Sequence, residues 1–94
     1  MEYTSKTKLN KIFYLSLPAN YTTGYTWNIV DMDKSYLEYL KTDYIPMSKD
    51  LVGSSGVAQL NFRAIKRGET ILKLSYGRIW EDTGDIDFHY INII

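Results

Sequence analysis

VAQLNFRAIK, residues 57–66, alternates cleanly: Ala58, Leu60, Phe62 and Ala64 fall on one side, Val57, Gln59, Asn61 and Arg63 on the other. A period of two with an aromatic and a branched residue on the apolar side is the signature of a half-buried strand. The same period recurs outward from it. Thr70 to Tyr76 sets Leu72, Leu74 and Tyr76 against Ile71, Lys73 and Ser75. Tyr25 to Asp31 sets Tyr25, Trp27 and Ile29 against Thr26, Asn28 and Val30. In residues 9–17, Leu9, Phe13, Leu15 and Leu17 share a side, interrupted by Lys11, and residues 86–94 form a last β-rich run. Ser35 to Thr42 fits either one turn of helix, through Tyr36, Leu37 and Leu40, or a strand through Leu37, Tyr39 and Lys41. In a chain otherwise all β, strand is the reading taken.

Ninety-four residues make one domain, 1–94, with 1–8 expected as a loose N-terminal segment. A composition of 45 % hydrophobic and 15 % aromatic residues is that of a globular chain. Eleven basic residues balance eleven acidic ones, and the lysines are scattered, so no stripe suited to a phosphate backbone exists and nucleic acid is not an expected partner. No apolar run approaches the roughly 20 residues that span a bilayer, so no membrane partner is expected either. With no cysteine, disulfides, thiolate metal sites and thiol nucleophiles are excluded together. The polar N-terminus, without an apolar h-region, favours the cytoplasm; a lysosomal, vesicular or secreted location stays open for a mature form.

Several short strands with turn punctuation imply a sandwich or barrel. With strands at 9–17, 25–31, 36–42, 57–66, 70–76 and 86–94 running up and down, alternate connections fall at one end. Met32 to Ser35 and Arg67 to Glu69, both tight, go to one end; Pro18 to Gly24, Asp43 to Gly56 and Gly77 to Asp85 go to the other. A further strand through Tyr44 to Met47 would part the first long loop from the other two. Long loops cost ordering entropy, and loops held on a rigid scaffold commonly carry function.

The three long connections contain Asn20-Tyr21-Thr22-Thr23-Gly24-Tyr25, Gly53-Ser54-Ser55-Gly56 and Arg78-Ile79-Trp80. In that order and spacing the chain resembles the chagasin-like inhibitors of papain-family cysteine peptidases. Their pattern is Asn-Pro-Thr-Thr-Gly-Tyr/Phe, then Gly-x-x-Gly, then Arg-Pro-aromatic. The resemblance implies an all-β, Ig-like antiparallel sandwich with three functional loops clustered at one end. It implies a reversible, tight-binding inhibitor whose partner is a papain-like cysteine peptidase, acting as a monomer and without a cofactor. The Thr-Thr-Gly loop would enter the active-site groove; the other two would flank it. Here Tyr21 and Ile79 stand where the family carries prolines. Each replacement loosens its loop by about 0.4–1 kcal/mol of chain entropy where the backbone would have suited proline.

Other features have plainer readings. Trp27, in strand alternation, is expected in the core; Trp80, between Gly77 and Gly84, is either a loop anchor or a core residue. Arg78 is open to an ion pair with Glu81 or Asp82. Glu81, Asp82, Asp85 and Asp87 do not match a calcium loop and suggest a solvated acidic loop, so no metal is expected. His89 is the single histidine; with no cysteine beside it no thiol–imidazole pair can form, and it is expected on a sheet face rather than in a catalytic group. No enzyme activity is expected. Asn20-Tyr21-Thr22 is also an N-glycosylation sequon on the proposed inhibitory edge, which favours a non-glycosylating context. The alternative function is an Ig-like adhesion or ligand-binding module gripping its ligand with the same tyrosine- and tryptophan-bearing loops.

Overall fold

The computed structural model describes residues 2–20, 25–46, 56–78 and 86–94, and among them there is no helix. Seven strands form two sheets. The strands are β1 (Glu2–Thr7), β2 (Ile12–Ala19), β3 (Tyr25–Asp31), β4 (Leu37–Pro46), β5 (Gly56–Ala64), β6 (Gly68–Arg78) and β7 (Ile86–Ile93). One sheet has the order β1-β7-β6-β3 and the other β2-β5-β4.

The alternating stretch that opens the sequence analysis becomes β5, the middle strand of the three-stranded sheet. Ala58, Leu60, Phe62 and Ala64 are buried on its inner face, as expected from their period. Leu15 and Leu17 of β2, Leu37 of β4, Leu72 and Leu74 of β6, and Ile91 and Ile93 of β7 complete the core between the layers. Burial of side chains of this size contributes about 1.5–3 kcal/mol each. Trp27 packs against this core while remaining half-buried.

Two expectations are corrected. Within the segment 1–8, expected to be loose, Glu2–Thr7 pair with β7 in register from Glu2 opposite Phe88 to Thr7 opposite Ile93. That pair is parallel, so the sandwich is not wholly antiparallel. The parallel ladder continues one rung past β1, where the amide of Ile94 donates to the Thr7 carbonyl (2.9 Å) and that of Leu9 to the Ile94 carbonyl (2.9 Å). The chain then crosses to the other sheet as β2. The ambiguous 35–42 stretch is a strand, and Tyr44 extends it as far as Pro46 rather than starting another. Tyr39 faces Phe62 and Lys41 faces Asn61, so Leu40 is an extra residue in the ladder. Such a bulge breaks the period of two, which is why Leu37 and Leu40 mimic helical spacing.

The end of the sandwich with tight turns is closed by local chemistry. Asp33 accepts from the Ser35 amide at 2.9 Å and from its hydroxyl at 2.6 Å. These two bonds hold its carboxyl below the ordinary range. Gly68 lies at φ +132°, and a Cβ there would meet the Tyr36 ring at 3.1 Å, so this turn requires glycine.

His89 is, with Thr70, a buried polar side chain among the described residues. It is 3 % exposed, its ring stacks on Tyr3 of β1 (centroids 4.8 Å apart), and among the described residues neither ring nitrogen has a hydrogen-bond partner. Burial depresses its pKa below the ordinary 6.5; the Asp87 carboxylate opposes this and the N-terminal charge adds to it. The fold thus favours the neutral ring. Its contribution to stability is complete above the unfolded-state pKa of about 6.5 and is lost as pH falls from there toward the lower folded value, by at most about 1.4 kcal/mol per pH unit. Urea titrations at pH 7.5 and pH 5.5 are expected to show lower stability at the acid end. His89→Leu should remove that part of the difference; an identical pH dependence in the variant would contradict it.

Candidate functional site

The site is built from strand ends. In the three-stranded sheet Gly56, the first residue of β5, pairs with Ala19 at the end of β2 and with Pro46 at the end of β4. In the four-stranded sheet Tyr25, the first residue of β3, pairs with Arg78, the last of β6, while Ile86 at the start of β7 pairs with Ser75. Two hydrogen bonds bring these groups of ends to the same edge of the sandwich. The indole Nε1 of Trp27 donates to the carbonyl of Pro18 at 3.0 Å, and the amide of Asn20 donates to the hydroxyl of Tyr76 at 2.9 Å. The six strand ends that flank the three motif-bearing connections therefore lie side by side. Tyr44 to Pro46 continues β4, so among the described residues no additional strand starts there.

The connections differ in what they join. The second links β4 to β5 within one sheet and the third links β6 to β7 within the other. The first joins β2 in one layer to β3 in the other. Pro18 is tolerated within β2 because that strand is the edge of its sheet, where an absent amide breaks no central ladder.

Of the candidate residues, Asn20, Tyr25, Gly56 and Arg78 belong to the described structure. Asn20 is half-buried just past the end of β2. Tyr25 is half-buried and meets the Tyr76 ring edge-on, with centroids 5.4 Å apart at 70°. Gly56 is buried as the first residue of the β5 ladder rather than the last of the connection, which corrects the expected bound: a Cβ at this position would sit 2.7 Å from the Ile45 carbonyl oxygen. Its lack of a side chain serves strand approach. Arg78 closes the β6 ladder opposite Tyr25. Tyr21, Thr22, Thr23, Gly24, Gly53, Ser54, Ser55, Ile79 and Trp80 lie outside the described residues, as do Glu81, Asp82 and Asp85. Among the described residues no group of three or more histidine, aspartate or glutamate side chains could hold a metal ion.

Sequence reasoning assigned Trp27 and Tyr76 to the core and missed their polar ends. Both reach across the layers to the backbone on either side of Ala19. A signal existed: Tyr25, Trp27 and Tyr76 put three aromatics with polar handles on inward-facing positions next to the long connections. Buried tyrosine and tryptophan usually direct such handles to a partner.

Comparison with known proteins agrees with this architecture. The chain matches the chagasin family peptidase inhibitor I42 over residues 6–93. Amoebiasin-2 of Entamoeba histolytica is 31 % identical over 75 residues, covering 77 % of this chain; the match spans 59 % of that relative's length. The cysteine protease inhibitor EhICP2 from Entamoeba histolytica has a similar structure, with a TM-score of 0.77 at 22 % identity over 98 % of this chain and 87 % of that one. Leishmania mexicana ICP gives 0.68 at 26 % identity over 99 % and 89 %. PbICP-C, solved in complex with falcipain-2, gives 0.73 at 14 % identity over 100 % and 90 %. With the match running from the end of β1 through all of β7, this chain belongs to the chagasin family of peptidase inhibitors.

Proposed function

We propose that this protein is a reversible inhibitor of papain-like cysteine peptidases, acting as a binding protein without turnover. Its three motif-bearing connections would form a wedge at one end of the sandwich. Thr22, Thr23 and Gly24 enter the substrate groove, where small hydroxyl side chains and a glycine let backbone approach closely and bond polar catalytic groups. Gly53, Ser54 and Ser55, with Gly56 at their root, flank one side. Arg78, Ile79 and Trp80 flank the other, with Trp80 as the aromatic anchor. The observation that supports this reading is the convergence of the described strand ends that flank the three connections on one edge. Connections rooted in paired strands lose little entropy on binding, and that saving raises affinity.

Titration of a papain-type peptidase with the purified protein tests the reading. Loss of peptidase activity at sub-micromolar inhibitor is expected, and full activity at micromolar inhibitor would overturn it. Trp80→Ala is expected to weaken inhibition about 30-fold or more, since truncating a tryptophan hot spot costs about 2 kcal/mol or more. Gly24→Glu should abolish inhibition by placing a charge in the groove, with circular dichroism unchanged in both variants.

A further inference from the structure

We propose that Tyr76 and Trp27 are positioning residues that lock the stem of the first connection onto the opposite sheet, and so set its register relative to the third. The proposal rests on the inhibitory reading above and adds the device that holds the wedge in shape.

The β2–β5 ladder ends at Ala19 opposite Gly56. Two bonds flank that pair. The Asn20 amide donates to the Tyr76 hydroxyl at 2.9 Å, and the Pro18 carbonyl accepts from Trp27 Nε1 at 3.0 Å. Both flanks of Ala19 are thus tied to the other layer. The two anchoring side chains are themselves cross-strand partners, with Trp27 opposite Tyr76, and their rings stand 5.0 Å apart. Tyr25 packs edge-on against the same Tyr76 ring. Tyr76 lies two residues before Arg78, and Tyr25 is the partner of Arg78. One aromatic cluster therefore grips the beginning of the first connection, its end, and the beginning of the third. A shift of the Tyr76 ring would move all three together, which is what a wedge of fixed shape needs.

Tyr76→Phe tests the idea, because it keeps the ring and removes only the acceptor. Hydrogen exchange in the free protein is expected to speed up at the Asn20 amide by about 3- to 10-fold, the range for one lost hydrogen bond, with the Leu60 and Leu74 amides unchanged. Dissociation from a papain-type peptidase should accelerate over a similar range, with the association rate little changed. Trp27→Phe, which frees the Pro18 carbonyl, should move dissociation the same way. Tyr90→Phe is the control: it deletes a hydroxyl that bonds Glu2 at 3.2 Å on the outer face, and should leave dissociation as in the unmodified chain. Unchanged Asn20 exchange in Tyr76→Phe would overturn the anchor. Faster exchange with unaltered dissociation would overturn its part in inhibition. An unmodified chain that binds no peptidase would sink the inhibitory reading and that part with it, while the exchange comparison still passes or fails the anchor.

Discussion

Phe62→Ala is expected to lower the unfolding free energy by about 3–5 kcal/mol, since Phe62 is the largest fully buried side chain among the described residues. Phe62 is fully buried at the centre of β5. It pairs with Phe13 on β2 and Tyr39 on β4, and its ring contacts both, at centroid distances of 5.7 Å and 5.6 Å. Three rings thus run in a row across the whole three-stranded sheet. Removing the middle one leaves a cavity that two flanking strands cannot close without leaving their ladder. Domains of this size hold only about 5–15 kcal/mol in total, so the variant should be marginal at room temperature. Urea denaturation is the measurement, with Phe62→Leu as the milder companion. A loss below about 1 kcal/mol would show that the row repacks freely. Inhibition by the surviving folded fraction should be unaffected, because Phe62 is remote from the strand ends that carry the candidate site.

The position of Phe62 in the core was legible from the period of β5 alone, and so were the inner faces of β2 and β6. The strands that escaped did so for physical reasons. β1 reads Glu2-Tyr3-Thr4-Ser5-Lys6-Thr7, with no apolar alternation: it is an edge strand lying beside β7, and Tyr3 is its one hydrophobic side chain. Its stability comes from main-chain pairing, which composition does not record. The extension of β4 was hidden by the bulge at Leu40, which shifts every later residue by one face.

The candidate site was legible at a different level. Parity places the three long connections at one end; the strand termini that flank them lie at one edge, while the connections themselves fall outside the described residues. The resemblance of Thr22-Thr23-Gly24, Gly53 to Gly56 and Arg78-Ile79-Trp80 to one family pointed to the proposed function, and the family match over residues 6–93 bears out the membership. Residue type could not show that Tyr76 and Trp27 hold the stem of the first connection. Their alternation with Leu74 and Ile29 predicts an inward side chain equally well for packing and for a hydrogen bond. Only the crossing of β2 toward β3 decides which.

Gly56→Ala is expected to cost about 1–3 kcal/mol, far more than an exposed strand residue should. A methyl group there would lie 2.7 Å from the Ile45 carbonyl oxygen and 3.2 Å from the Pro46 Cα, both backbone atoms that cannot swing aside. The end of β4 must then move off β5, and it is the root of the second connection that moves. Gly77→Ala is the contrast, since nothing lies within 4 Å of a Cβ at that position, and its effect should stay within about 0.5 kcal/mol. Urea denaturation of the two variants, with amide shift mapping of Pro46's neighbours and Ala19, separates the cases. If inhibition depends on three connections held in fixed relation, Gly56→Ala should weaken it even at temperatures where the variant is fully folded, because Ala19, Gly56 and Pro46 form one rung. A variant as stable as the unmodified chain would mean that the close approach of β4 to β5 is not enforced. The last glycine of the Gly-x-x-Gly motif would then owe its place to the partner alone.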